Sequence, residues 1–122
     1  MKPGIYKCNK DYHTPYPESI LFIKGERVQI GEEFDEDPDW TGWIRCLAGD
    51  NREAWIPKSF LKIEGNEGFL LQDYDARELN ASVGDLFKII DIVNGFGQAE
   101  NKDGERGWVP MNHLETNSEN AA

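Results

Sequence analysis

Six carboxylates stand within eight residues, Glu32, Glu33, Asp35, Glu36, Asp37 and Asp39, with Trp40 next to them. Two chemistries use such a density of negative charge. A calcium loop spreads oxygen ligands over about twelve positions, with a glycine at its sharp turn and a bidentate glutamate at its end. Asp35-Glu36-Asp37-Pro38-Asp39 begins like one, but Cys46 stands at the closing position and the turn glycine is missing, so no metal is expected. The other chemistry is electrostatic attraction of a peptide that carries Lys or Arg, which raises its association rate. The remaining reactive side chains are sparse. Cys8, Cys46, His13 and His113 are scattered rather than clustered, which does not make a disulfide framework or a metal site. No serine or cysteine sits in a nucleophile motif. No catalytic residue and no cofactor is expected, and the chain is read as non-enzymatic.

Charge narrows the partners. The net charge is −10, split as −3 over residues 1–64 and −7 over 65–122. Binding to a nucleic-acid backbone needs a basic stripe that displaces counterions, and this sequence has none. An acidic surface suits basic or neutral partners, with association that weakens in salt; the plainer role of such charge is solubility. No apolar run is long enough to cross a membrane as a helix. Met1-Lys2-Pro3-Gly4 lacks an apolar signal core, so a cytoplasmic location is expected.

The elements that must position these residues come twice. Trp55-Ile56-Pro57 returns as Trp108-Val109-Pro110, and the offset of 53 also relates Trp43 to Phe96 and Leu61 to Leu114. Gly25-Glu26 relates to Gly84-Asp85 at 59, and Asp11-Tyr12 to Asp73-Tyr74 at 62. Constant blocks with stepped offsets describe a duplicated unit with indels in its loops. Within each copy the apolar residues alternate over short stretches, broken by Gly, Asn and Asp, which predicts antiparallel strands in a sandwich or small barrel. Strands are expected near 5–10, 27–32, 42–47, 53–57, 61–63, 69–73, 86–91, 96–100, 106–110 and 113–115. The expected division is a first domain at 1–64 and a second at 65–122. Gly65-Asn66-Glu67-Gly68 would serve as the linker, and a tail would fray from about 116.

Each copy resembles a Src-homology-3 (SH3) domain. The residues that carry the likeness are Lys10-Asp11-Tyr12, Lys24-Gly25-Glu26, Gly42-Trp43 and Ala54-Trp55-Ile56-Pro57-Lys58-Ser59-Phe60-Leu61 in the first copy. In the second they are Leu70-Leu71-Gln72-Asp73-Tyr74, Gly84-Asp85, Gly95-Phe96 and Gly107-Trp108-Val109-Pro110-Met111-Asn112-His113-Leu114. They are similar to the family's ALYDY opening, its KGD turn, its tryptophan pair and its terminal PSNYV. The pair resembles the variant SH3 pairs of small bacterial proteins. The resemblance implies an all-β chain of two tandem SH3-like five-stranded barrels.

It also implies a row of aromatics that receives an extended, proline-containing, basic peptide. Carried over position by position, the row is Tyr12, Tyr16, Trp43, Pro57 and Phe60 in the first copy. In the second it is Tyr74, Phe96, Pro110, Asn112 and His113. Acidic specificity would come from Glu18, Glu32, Glu33, Asp35 and Glu36, and from Glu78 in the second copy. Lys10 and Gln72 replace the first ALYDY tyrosine, Ser59 replaces the asparagine and His113 the last tyrosine, so both rows depart from the family pattern. The arm after Tyr74 is also three residues shorter than the one after Tyr12. Two other roles compete: a structural one, with the aromatic surfaces buried between modules or against a fixed partner, and an aromatic cage of Tyr12, Trp43 and Phe60 for a small cation or modified lysine. Cys8 and Cys46 align with inward positions and are expected to be inert thiols.

Overall fold

The short alternating stretches become twelve strands in the computed structural model, which describes residues 2–117. They are β1 (Gly4–Cys8), β2 (Leu21–Phe22), β3 (Arg27–Glu33), β4 (Trp43–Leu47), β5 (Glu53–Pro57), β6 (Leu61–Glu64), β7 (Glu67–Leu70), β8 (Tyr74–Asp75), β9 (Leu86–Val93), β10 (Phe96–Glu100), β11 (Arg106–Pro110) and β12 (Leu114–Thr116). The described residues contain no α-helix; three single-turn 3-10 segments lie at Pro38–Trp40, Lys58–Phe60 and Met111–His113. The chain is all-β. Ten of the twelve strands fall where alternation and turn residues predict them. The other two, β2 and β8, are two-residue strands that pair only with each other.

The strands assemble into two five-stranded sheets, ordered β5-β4-β3-β7-β6 and β11-β10-β9-β1-β12. Substituting each strand by its repeat partner turns one order into the other. The division of the chain, however, differs from the expected one. One compact unit runs from Ser19 to Ala76; the other takes the residues up to Glu18 together with those from Arg77 onward. The segment expected as a linker is instead a hairpin. Gly65 and Asn66 turn the chain between β6 and β7, which pair from Leu61↔Leu70 to Glu64↔Glu67. Gly65 has φ +63°, the left-handed conformation that such a turn requires. A domain boundary at 65–68 would break that ladder. The chain passes between units at 18/19 and 76/77 instead.

Consequently, each unit takes its first strand from the other copy of the repeat. β1 pairs with β9 and β12, whereas β7 pairs with β3 and β6. The same backbone bonds recur in both places. Cys8 N–H donates to Asp85 O at 2.8 Å as Leu70 N–H donates to Glu26 O at 3.0 Å. Asn9 N–H donates to His113 O at 2.9 Å as Leu71 N–H donates to Phe60 O at 2.8 Å. Of the tail expected to fray, Thr116 ends β12 and Asn117 N–H donates to Ile5 O at 3.2 Å; the rest lies outside the described residues.

The unit that begins with β1 has a core of Tyr6, Phe87, Ile89, Val109, Met111 and Leu114 with Cys8 among them. In the Ser19–Ala76 unit Phe22, Val28, Ile56 and Cys46 are among the residues that are fully enclosed. Both cysteines are free and buried, one in each unit, as their inward alignment predicts. Burial pushes the Cys46 thiol up to about 12 and raises that of Cys8. Only the thiolate is a nucleophile. Both cysteines should therefore resist maleimide in the native protein near neutral pH and react fully in denaturant. Fast native labelling of either, read by mass, would contradict the register of its strand.

Candidate functional site

The expected rows are assembled across the two copies of the repeat. In the Ser19–Ala76 unit, Trp43 on β4 faces Pro57 on β5. Phe60 follows in a 3-10 turn, and Tyr74 on β8 stands edge-on to it at 5.6 Å. The Tyr74 hydroxyl donates to Trp55 O at 2.8 Å. Tyr12, expected beside Trp43, belongs to the other unit. A cage of Tyr12, Trp43 and Phe60 is therefore not formed within either one. Trp43 is 7% exposed and Tyr74 5%, and Pro57 is fully enclosed. Of this row only Phe60 keeps a partly open ring. β4 is an inner strand and β5 an edge strand of the sheet; the Trp43–Pro57 pair is buried, while Arg45, Trp55, Leu47 and Glu53 farther along the same face are exposed or half-buried.

The β1-containing unit repeats the arrangement. Phe96 on β10 faces Pro110 on β11, with His113 in the following turn. Tyr12 stands edge-on to the His113 ring at 5.3 Å. Phe96 and Pro110 are buried, and His113 is 9% exposed. The His113 Nδ1 lies 3.1 Å from Lys10 O and 3.2 Å from Asp11 O, so this nitrogen carries the proton and donates. Asn112 is exposed, and Tyr16, at 43%, is the most open of the expected rings.

Glu78, expected as a free carboxylate for a ligand's arginine, is already engaged. Its Oε1 accepts from the Tyr12 hydroxyl at 2.6 Å and from Thr14 Oγ1 at 2.6 Å. Burial raises its carboxyl above the usual range, against the lowering effect of those two bonds. The same burial, with the carboxylate alongside, pushes the Tyr12 phenol up. A carboxyl with a raised folded-state pKa weakens the fold when ionised, and the penalty disappears as pH falls through that pKa. Glu78→Gln should therefore raise thermal stability near pH 8, with the gain shrinking toward zero at pH 4. Melts across that range check it; a gain that grows on acidification would contradict the burial argument.

The acidic run takes a different place. β3 shifts register between Ile30 and Glu33, and its end carries Glu32 and Glu33 outward. Glu33 pairs with Lys58 Nζ at 2.8 Å. Asp37 caps the following turn by accepting from Asp39 N–H at 2.9 Å. That turn presents Trp40, whose ring lies 6.1 Å from Phe34, and Phe34 stands edge-on to Trp55 at 5.6 Å. Arg45, paired with Glu53, lies over the outer side of the Trp55 ring at 5.9 Å. All three rings are half-buried, while Glu32, Asp35 and Glu36 are exposed around them. Glu18 is also exposed, as the last residue before the chain leaves its unit.

Phe34 and Arg52 are not among the residues expected from sequence. The signal for Phe34 was a lone aromatic inside an acidic stretch. Arg52 binds Asp50, Glu26 and Leu21 O and lies over the Phe22 ring, a set drawn from separate loops that no local pattern reveals. No group of three or more His, Cys, Asp or Glu among the described residues is placed to hold a metal ion. No helix among them is long and apolar enough to cross a membrane.

Residues 70–116 match the family model of the variant SH3 domain. The chain carries a variant SH3 domain there. The match starts at the end of β7 and ends with β12, so its first residues pack in the Ser19–Ala76 unit and its remainder in the other. No curated protein matches the chain. SH3 domains are non-enzymatic modules that generally mediate protein–protein interactions.

Proposed function

We propose that the chain is a tandem pair of SH3-like barrels. In this reading it binds an extended, basic, proline-containing peptide segment on the acidic rim of the Ser19–Ala76 unit. The observation that carries the reading is the group of Phe34, Trp40 and Trp55, ring against ring and half-open, bordered by the exposed Glu32, Asp35 and Glu36. Flat rings give apolar contact at small cost in rotamer entropy. An extended proline-containing ligand is already ordered before it binds. The carboxylates would draw in Lys or Arg on the same segment and set the salt dependence. Burial of Trp43, Tyr74 and Pro57 favours a second reading for the family-type row itself: it holds the fold and takes no free peptide.

Titration against basic proline-rich peptides tests the first reading. Trp40→Ala should weaken binding by about thirtyfold, the effect of losing roughly 2 kcal/mol at the centre of a small interface. Replacing Glu32, Asp35 and Glu36 by amides should slow association and flatten its salt dependence. Unchanged affinity in both variants would overturn the rim as the site.

A further inference from the structure

The two first-strand slots are built on one register. Tyr6 of β1 faces Phe87 and Thr116, and Gly68 of β7 faces Val28 and Ile63. These partners differ by the repeat offsets of 59 and 53. The backbone would thus accept a second, sequential closure, in which β1 completes the sheet of its own copy and β7 completes the later one. We propose that two adjacent residues on each strand, Tyr6-Lys7 and Gly68-Phe69, form an address that selects the exchanged closure. The address thereby sets which tyrosine, Tyr12 or Tyr74, joins which aromatic row.

The first element of the address is volume. A Cβ at Gly68 would stand 2.8 Å from Ile30 Cδ1 and 3.6 Å from Leu61 Cδ2, so the slot it occupies has no room for a tyrosine. In the other unit the counterpart of Ile30 is Ile89. Its tip leans over Gly97 instead, where an added Cβ would be 3.0 Å from Ile89 Cδ1 and 2.7 Å from Met111 Sδ. The counterpart of Gly97 is the buried Ile44, which denies Ile30 that retreat. Small Gly97 with large Tyr6 on one side matches large Ile44 with small Gly68 on the other. Exchanging the strands would overfill one core and leave a hole in the other.

The second element is charge. Lys7 lies opposite Glu115 and Leu86, while Phe69 lies opposite Lys62 and Arg27. In the sequential closure Lys7 would sit between Lys62 and Arg27, and like charges directly opposite on neighbouring strands repel. Glu67 does not discriminate: it pairs with Arg27 at 3.1 Å here and would face Lys88 in the alternative.

The closure sets the surroundings of each tyrosine. Tyr12 follows β1 to His113 and Glu78, and Tyr74 follows β7 to Phe60 and Trp55 O. Reversing the address would hand each row the other tyrosine. Cysteine pairs in the full chain read the closure at positions outside the address. Ile5 lies opposite Lys88, whereas the sequential closure would put it opposite Gln29. I5C/K88C should cross-link on mild oxidation and I5C/Q29C should not; adding Tyr6→Gly with Gly68→Tyr should reverse that pattern. Cross-linking of 5 to 29 with the address intact, or a folded double variant that keeps the original pattern, overturns the proposal. If the double variant does not fold, Gly68→Ala decides. A fall in its unfolding midpoint, of which Ile30→Val restores about half or more, supports the address. A midpoint equal to that of the parent overturns it.

Discussion

Trp43→Ala should lower the stability of the Ser19–Ala76 unit by about 3–5 kcal/mol, the cost of deleting a large buried aromatic. At 7% exposed, the indole is almost fully withdrawn from water, on an inner strand opposite an enclosed proline. Neighbours held by β-ladders on both sides of β4 cannot collapse into the space left behind. A total stability of about 5–15 kcal/mol is usual for a domain, so the variant would be partly unfolded at room temperature in the weaker part of that range. Denaturant titration measures the loss. Binding tests on this variant read only the folded fraction, which is why Trp40 is the better probe of the rim. A Trp43→Ala protein as stable as its parent, yet deaf to peptide, would return Trp43 to the binding surface.

Phe22→Ala should cost a similar amount, about 3–5 kcal/mol, although the residue sits on a strand only two residues long. Phe22 is fully enclosed, packs against Tyr74 at 6.4 Å and lies under the Arg52 guanidinium at 4.9 Å. Deleting the ring removes the surface that pins Tyr74 and Arg52, and with Arg52 the tie to Glu26, Asp50 and Leu21 O. The corresponding position of the other unit is Ala81, bridged to Tyr12 as Phe22 is to Tyr74. That unit has Leu79 and Met111 in its core beside the small residue. The Ser19–Ala76 unit has no such compensation designed around an alanine. Equilibrium unfolding of the variant, with tryptophan fluorescence as the probe, gives the value. A loss under about 1 kcal/mol would mean the arm is not held by this ring.

Ten strands, their approximate ends and the inward alignment of both cysteines were legible in the chain, because alternation of period two and turn residues are local properties. So was the duplication, since stepped offsets survive any packing. The acidic run was visible as well, and so was its neighbour Trp40. β2 and β8 were not legible. Two residues carry no period, and their pairing joins segments about fifty positions apart in sequence.

The amino-acid sequence by itself determined an all-β chain of repeated strand units, with its aromatics, its turns and its charge at stated positions. Only the tertiary structure decided which copy's first strand enters which sheet. Strands β1 and β7 offer the backbone nearly the same ladder, so no propensity or spacing separates the two closures. The choice rests on side chains distant in sequence: Ile30 against Gly68, Glu115 against Lys7. From that one decision follow the hairpin in place of a linker, the assignment of Tyr12 and Trp43 to different units, the union of Tyr74 with Phe60 and the engagement of Glu78. Burial of the aromatic rows is likewise a property of what packs over a strand. Alternation shows which side chains share a face; it does not show whether water or protein lies above them.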